Sequence, residues 1–178
     1  DSLHPDAPPA VHAPSHAWED SFATRPWTQL PEAPIVVIPI GSCEQHGPHL
    51  PLDTDTRIAT RLAHVLAEQR PDVLLGPSIP FGASWEHHGF PGLLSLNHSV
   101  LISVMVELAH SADWAAGLVF VNGHGGNARG VDEAVRHIRS EGRQALAWSP
   151  RLPEGDPHAG LSETSIMLAL EPELVHMD

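Results

Sequence analysis

Five carboxylate and imidazole side chains, all able to bind a metal, lie within one short stretch of the sequence. "GSCEQHGPHLPLDTDTR", residues 41–57, follows the apolar run "PIVVIPI" and includes Glu44, His46 and Asp55. Residues two apart in an extended segment point to the same side, so Glu44 and His46 can face one ligand. Asp55 returns at the start of the next helix. Because prolines restrict this loop, the pattern indicates that it holds a coordination geometry.

Two further loops carry the same kinds of side chain. "VFVNGHGGNARG" presents His124 among three glycines, where a backbone with little steric cover can approach a ligand. "GDPHAGLSETS" contains Asp156, His158 and Glu163. Carboxylates and imidazoles together suit divalent ions such as Zn, Mn or Fe. We therefore expect two such ions with one bridging carboxylate. The ligands of this set are Glu44, His46, Asp55, His124 and Glu163.

Alternative interpretations exist for each of these motifs. Glu163 lies near the start of a predicted helix, where a carboxylate also interacts favourably with the helix dipole. A glycine-rich turn can bind phosphate, although the sequence has neither a G-x-G-x-x-G nor a G-x-x-x-x-G-K-[ST] pattern. Cys43 is adjacent to Glu44, but no base is assigned to it by spacing, and a structural cysteine is the favoured interpretation.

The segment "GASWEHHGFPGLLSL" adds a fourth group of residues near the predicted site. Trp85 and Phe90 either wall a pocket or pack against the core. Glu86 and His87 could orient a ligand histidine or a substrate group.

Composition excludes several classes of function. The 178-residue chain has 22 acidic and nine basic residues and a formal charge of −13, which disfavours nucleic acid and acidic membrane surfaces as partners. All nine basic residues are arginine, and tyrosine is absent, so Schiff-base chemistry on lysine and tyrosine acid catalysis are excluded. No apolar run is long enough to span a bilayer. A single cysteine cannot form an internal disulfide, which favours the cytoplasm.

The remaining pattern predicts a single α/β domain. Strand-like apolar runs alternate with segments of helical spacing, which implies a parallel sheet with helices on both faces and functional loops at its carboxyl edge. Asp53 or Thr54 could cap the first long helix, and Ser162 is predicted to begin the last one. Residues 1–24 are predicted to be a flexible extension rich in Pro and His, and residues 25–178 to form the domain. The predicted strands lie in 35–40, 72–77, 117–123 and 144–148, and the predicted helices in 54–69, 99–112, 128–142 and 162–170.

Four motifs, in order and at similar spacing, resemble the creatininase family: "GSCEQHGPHLPLDTD", "EHHGFPG", "NGHGGN" and "HAGLSETS". The resemblance implies a creatininase-like α/β/α sandwich with a dinuclear metal centre that hydrolyses amide bonds, in a homo-oligomer. It matches Glu44, His46, Asp55 and His124 to metal ligands and His158 to a catalytic histidine, which Asp156 could orient.

The sequence also departs from the family pattern. Gly126 stands where creatininase has an acidic ligand, so we infer that Glu163 takes that role, and Leu93 stands where threonine is common. These departures disfavour creatinine itself and leave a modified peptide or a small cyclic amide or formamide as the substrate. A non-catalytic metal-containing binding protein is the alternative from another class. Relatives continue beyond "ETSIMLALEPELV", so we expect a truncated C-terminal part.

Overall fold

A computed structural model describes residues 21–151, 156 and 158–177 of the chain. Four parallel strands form one sheet in the order β2-β1-β3-β4. The strands are β1 (Ile35–Ile40), β2 (Val73–Leu75), β3 (Gly117–Asn122) and β4 (Ala145–Trp148), and the α-helices are α1 (Thr54–Gln69), α2 (His98–Ser111), α3 (Ala128–Ser140) and α4 (Leu161–Leu170). The predicted parallel α/β fold is confirmed. Most of the predicted N-terminal extension lies outside the described residues, and no described helix meets the length and apolarity needed to cross a bilayer.

Helices cover both faces of the sheet, as the continuous apolar strands predict. Val36, Ile38 and Ile40 of β1 pack into a cluster with buried residues of α2 and α3. Val37 points to the opposite face and packs against Ala59 and Ala63 of α1. A strand buried on both faces needs no polar alternation, which explains why "IVVIPI" is apolar throughout.

The site forms where β1 and β3 end side by side. Ile40 pairs with Asn122, so the loops that start at residues 41 and 123 leave the sheet at the same level. The first turn of α1 packs closely over both strand ends. A Cβ atom at Gly123 would lie 2.3 Å from the backbone oxygen of Asp55, so only glycine permits this approach. The metal-capable loops are thereby brought to one edge.

Both predicted helices are present, but the residues predicted to cap or begin them do not do so. Asp53 occupies the N-cap position of α1, but its side chain accepts a hydrogen bond from Arg57 Nε at 2.7 Å and caps no helix N–H. Thr54 instead donates its hydroxyl to the carbonyl of Pro51. Helix α4 follows Gly160 rather than beginning at Ser162. At the start of α1, nearby ionic and backbone partners therefore compete successfully for the side chains of Asp53 and Thr54.

Candidate metal centre

Asp55, in the first turn of α1, is the point at which the site residues converge. Its Oδ1 lies 3.0 Å from His46 Nε2 and its Oδ2 lies 2.9 Å from His124 Nδ1. Ser42 donates its hydroxyl to Oδ2 at 2.8 Å. Each carboxylate oxygen thus faces a different histidine, an arrangement compatible with a carboxylate that bridges two ions.

The described residues supply two sets of three metal-capable atoms that share Asp55. One set joins Glu44, Asp55 and His124, and the other joins His46, Asp55 and Glu163. Within each set the atoms lie within 4.8 Å of one another, and all five residues are buried. The structure therefore brings together all five residues predicted from the sequence. Their role as ligands stays a prediction.

Backbone carbonyls hold the second nitrogen of both histidines in these sets. His46 Nδ1 lies 3.2 Å from the carbonyl oxygen of Glu44, and His124 Nε2 lies 3.2 Å from that of Ala83. A carbonyl oxygen accepts only, so each of these nitrogens carries a hydrogen. In the metal-free fold, the hydrogen bond to Asp55 requires a hydrogen on the facing nitrogen as well. Loss of that proton leaves the facing nitrogen with the lone pair that a metal-binding histidine needs.

The buried carboxylate of Glu44 lacks a hydrogen-bond partner in the described part of the chain, which is consistent with a site for a cation. Its side chain is fully buried, and neither carboxylate oxygen makes a hydrogen bond of good geometry to a described residue. Nitrogens of His124, His87 and His158 surround its Oε1 at 3.4, 3.5 and 3.7 Å. Burial raises the pKa of Glu44, and His124 opposes that rise only in part. A buried carboxylate of this kind is costly unless a positive charge compensates it.

In the rest of the two sets, the charge on Asp55 and the pKa values of the neighbouring side chains affect one another. Burial would raise the pKa of Asp55, but hydrogen bonds from His124 and His46 outweigh it and leave the pKa well below its usual range. Burial lowers the pKa of both histidines, and the bond and charge of Asp55 reverse the shift, so each pKa is raised. The pKa of Glu163 is raised, mainly by burial and then by Asp55.

His158 lies next to the two sets, at the side that opens to solvent. Its ring is 4.6 Å from that of His46 and the same distance from that of His87. Asp156 does not play the predicted orienting part in the contacts that the structure shows, because its carboxylate accepts the backbone N–H of Ser162 at the start of α4. A backbone carbonyl, that of Gln45, receives His158 Nε2 at 2.8 Å instead.

The segment that carries His87 lies on the exposed side of the site. Glu86 Oε1 is 3.8 Å from His124 Nε2, a position consistent with the predicted supporting role. Trp85 stacks on His88 and is 68% exposed, and Phe90 is 55% exposed, so these rings are not core residues. Of the two interpretations of these aromatics, core packing is excluded.

Cys43 lacks the lowered pKa that activates a nucleophilic cysteine. Its sulfur lies 3.5 Å from the carbonyl oxygen of Gly92, and burial raises the pKa of the thiol. A raised pKa reduces the thiolate fraction at neutral pH. The structural interpretation of this cysteine is thus favoured.

Sequence reasoning missed the residues that fasten the loops together. Asn127 is fully buried, accepts the N–H of Ala83 at 2.7 Å, and donates to the carbonyl of Gly41 at 2.9 Å. Gln45, which contacts His87 and His158, carries no sequence signal of its own between Glu44 and His46. The only signal for Asn127 was a polar residue at the end of "NGHGGN", just before an amphipathic helix.

Comparisons with known proteins agree with this geometry. The creatininase family profile, described as creatinine amidohydrolase, matches residues 23–178. The chain is 51% identical over 157 residues to the mycofactocin precursor peptide peptidase of Mycobacterium tuberculosis, covering 82% of this chain and 62% of that relative. It is 31% identical over 175 residues to the creatinine amidohydrolase of Pseudomonas putida, covering 81% of this chain and 67% of that relative.

A solved structure described as "Creatininase Mn" superposes with a TM-score of 0.67 at 27% identity, covering 80% of this chain and 67% of that one. The chain thus spans less than two thirds of the length of the peptidase and about two thirds of the length of the two creatininases. The family profile covers nearly all of the described residues, including every residue of the two ligand sets. On the profile match and these identities, the chain belongs to the creatininase family.

Proposed function

We propose that this chain is a metal-dependent amide or peptide bond hydrolase with two divalent ions, drawn from Zn, Fe and Mn. Glu44, Asp55 and His124 would hold one ion, and His46, Asp55 and Glu163 would hold the other. The observation that carries the proposal is the pair of three-residue sets that meet at Asp55. When bound, such ions polarise a carbonyl and lower the pKa of water toward neutrality.

The residues of the chain supply binding, orientation and proton transfer. Asp55, which both sets share, is oriented by the hydroxyl of Ser42 and by its position in the first turn of α1. His158 is half-buried beside them and can pass a proton to the departing nitrogen, a task suited to an imidazole near neutral pH. Its Nδ1 is the nitrogen that faces Glu44, at 3.7 Å.

The substrate that we propose is the modified mycofactocin precursor peptide, from which the enzyme releases a C-terminal Val-Tyr-derived unit. The support is the 51% identity to a protein named mycofactocin precursor peptide peptidase. Gly126 argues against creatinine itself. A Cβ atom at this position would lie 2.5 Å from the carbonyl oxygen of Ala83 and 2.6 Å from Glu86 Oε1, so an acidic side chain has no room there.

Assembly as a homo-oligomer, a cytoplasmic location and the division at residue 24 also stay proposals. The exposed aromatic side chains beside the site, Trp85 and Phe90, are compatible with a subunit contact as well as with substrate. Light scattering on the purified chain measures the subunit number directly.

The test of the proposed function combines metal analysis with a hydrolysis assay. We expect two metal ions per chain after dialysis, and cleavage of a modified peptide that ends in Val-Tyr. His124→Ala and Glu163→Gln should each lose one ion and reduce kcat by at least ~100-fold. His137→Ala is the matched control, because His137 is exposed on α3 and pairs with Glu141.

Three outcomes decide between the alternatives. Full hydrolysis by metal-free protein excludes the metal-dependent mechanism. Hydrolysis of a cyclic amide or a formamide but not of the peptide assigns another activity within the family. Two bound ions without hydrolysis of any of these substrates favours a metal-containing binding protein.

A further inference from the structure

Gln45 lies between Glu44 and His46, and it contacts both imidazoles that flank the candidate metal centre. Its side-chain Nε2 lies 2.9 Å from His87 Nδ1, and its backbone oxygen lies 2.8 Å from His158 Nε2. The remaining nitrogens of the two rings, His87 Nε2 and His158 Nδ1, both face Glu44 Oε1, at 3.5 and 3.7 Å. Gln45 therefore contacts one nitrogen of each ring, while the other nitrogen of each ring faces Glu44 Oε1.

The orientation of the Gln45 amide follows from its third contact. The backbone N–H of Gly47 lies 2.9 Å from the side-chain Oε1 of Gln45. A backbone N–H can only donate, so the atom that it meets is the carbonyl oxygen of the amide. The other end of the amide is then the NH₂ group, and it donates to His87 Nδ1. His87 Nδ1 must therefore carry a lone pair, and the hydrogen of the neutral ring is on Nε2.

The tautomer of His158 is the same, but its ring is turned the other way, so that its Nδ1 faces Glu44. The backbone oxygen of Gln45 only accepts, so His158 Nε2 carries the hydrogen. The reverse assignment would place two lone pairs 2.8 Å apart. Gln45 Nε2 is also 3.1 Å from His158 Nε2, but this contact cannot be a second hydrogen bond because both nitrogens bear hydrogens. The Nδ1 atom of His158 is left with the lone pair.

We propose that Gln45 is a positioning residue that holds both His87 and His158 in the Nε2–H tautomer with the two rings turned in opposite directions, so that His87 offers an N–H and His158 a lone pair beside Glu44. The inference rests on the proposed amide hydrolysis for its consequence. His87 Nε2–H then donates to the substrate oxygen on which negative charge develops, while His158 Nδ1 takes up and returns the proton. A hydrolase needs both functions, and two rings free to change tautomer would supply them only part of the time.

The two rings depend on different atoms of Gln45, which gives the inference an internal control. His87 is held by the side chain, whereas His158 is held by the backbone, which any substitution retains. In Gln45→Glu, both side-chain oxygens accept. His87 Nδ1 must then bear a hydrogen, and the neutral ring loses its hydrogen on Nε2. In Gln45→Met, the amide is removed without a change of length, so His87 populates both tautomers. His158 should remain unchanged in both variants.

The experiment reads the tautomers directly by long-range proton–nitrogen NMR correlation in the zinc-loaded full chain, with isotope-labelled histidine. The variants His87→Asn and His158→Asn assign the two rings. We expect hydrogen on Nε2 in both rings of the parent chain, and hydrogen on Nδ1 of His87 alone in Gln45→Glu. If the spectrum of the parent chain shows the hydrogen on Nδ1 of either His87 or His158, the inference is overturned.

Kinetics on the peptide substrate separate positioning from a structural effect. For Gln45→Glu we expect kcat to fall by roughly tenfold or more, with KM changed by less than about twofold, because the lost N–H acts on developing charge. Zinc content should stay at the parent value. Gln144→Glu, the same change at an exposed position next to β4, is the matched control. Unchanged kcat in Gln45→Glu despite a reversed His87 tautomer also overturns the inference.

The two readouts keep this inference distinct from the proposed function. If the parent chain shows the assigned tautomers but cleaves no amide, the proposed function fails and the positioning by Gln45 is upheld. If the parent chain cleaves the peptide but its tautomers differ from those assigned, the positioning fails and the proposed function is upheld.

Discussion

Glu44 carries a charge that is unfavourable in the metal-free fold. The side chain is fully buried at the end of β1, and burial raises the pKa of the carboxyl group. A carboxyl whose pKa is raised is more stable protonated, so above its ordinary value near 4.5 the charged form reduces the stability of the folded state. The residue thus favours metal binding at the expense of the metal-free protein.

The substitution Glu44→Gln tests whether Glu44 reduces the stability of the metal-free protein while it favours metal binding. It keeps the shape of the side chain and removes the charge, so we expect the metal-free protein to gain about 1 kcal/mol, or roughly 2–4 °C in Tm. The same variant should bind one ion fewer. The measurements are thermal unfolding in chelator and metal content after dialysis.

The control for this comparison is Glu107→Gln, since Glu107 is exposed on α2 and its side chain is 77% accessible. That variant should leave both the Tm and the metal content unchanged. A lower Tm for metal-free Glu44→Gln would show that the carboxylate is well compensated by the histidines around it.

At the scale of elements, the Asn127 side chain hydrogen-bonds to residues in the loops that follow β1 and β2 and to the last residue of β3. Its amide joins Ala83 in the loop after β2 to Gly41 after β1, and its Nδ2 also lies 3.2 Å from the side-chain oxygen of Asn122. The residue is fully buried directly before α3. Because Ala83 also receives His124 Nε2, the position of a candidate ligand depends on this amide.

Truncation of this amide should therefore weaken both folding and metal binding. For Asn127→Ala we expect a loss of about 2–4 kcal/mol in the free energy of unfolding, because buried backbone groups lose their partners. Asn97→Ala is the matched control. Asn97 caps α2 by accepting the N–H of Val100, and its loss should cost about 1 kcal/mol without any change in metal affinity.

Denaturant unfolding and a zinc titration of both variants measure these two effects. Equal zinc affinity in Asn127→Ala and the parent chain would contradict a role of this amide in placing the ligand loops.

The elements that could be predicted from the sequence are those determined by local pattern. Strand β1 and helix α1 have the predicted bounds because a continuous apolar run and a helical spacing of Ile58, Leu62 and Val65 leave little choice. Parallel pairing then places the loops at residues 41 and 123 at one edge, which is why the ligand set could be predicted.

The parts that could not be predicted depend on partners distant in the chain. The side chain of Asp53 has a choice between a helix N–H and Arg57, and only the assembled structure shows that it takes the guanidinium. The role of Gln45 depends on His87 and His158, which are 42 and 113 residues away. Periodicity carries no information on such contacts.

Considered over the whole molecule, protons and metal ions compete for the same side chains. The pKa values of Glu44, His46, His124 and Glu163 are all raised. A group with a raised pKa stabilises the folded state below its unfolded pKa, and this stabilisation is lost as pH rises through the folded pKa. Asp55 has the opposite sign, and its contribution is lost only as pH falls below its ordinary value near 3.8.

Metal binding requires these ligands to be deprotonated, so its pH dependence has the reverse direction. As pH rises above 6.5, the ordinary pKa of histidine, the metal-free protein progressively loses the stabilisation that protonated His46 and His124 provide. Over the same range, fewer protons must be displaced by the ion, and apparent affinity rises by about 1.4 kcal/mol per pH unit for each proton displaced. Both statements describe the same release of protons, and the stabilisation that metal provides therefore increases as pH rises.

We therefore expect the difference in Tm between zinc-loaded and chelator-treated protein to widen steadily from pH 6 to pH 8. Differential scanning calorimetry at buffered free zinc measures it. The variant His124→Ala, which lacks one raised histidine and one ion, should show a smaller difference with a shallower slope. A difference in Tm that does not change with pH would mean that His46 and His124 are already neutral at pH 6 in the metal-free chain. The charge on Asp55 would then not raise their pKa values.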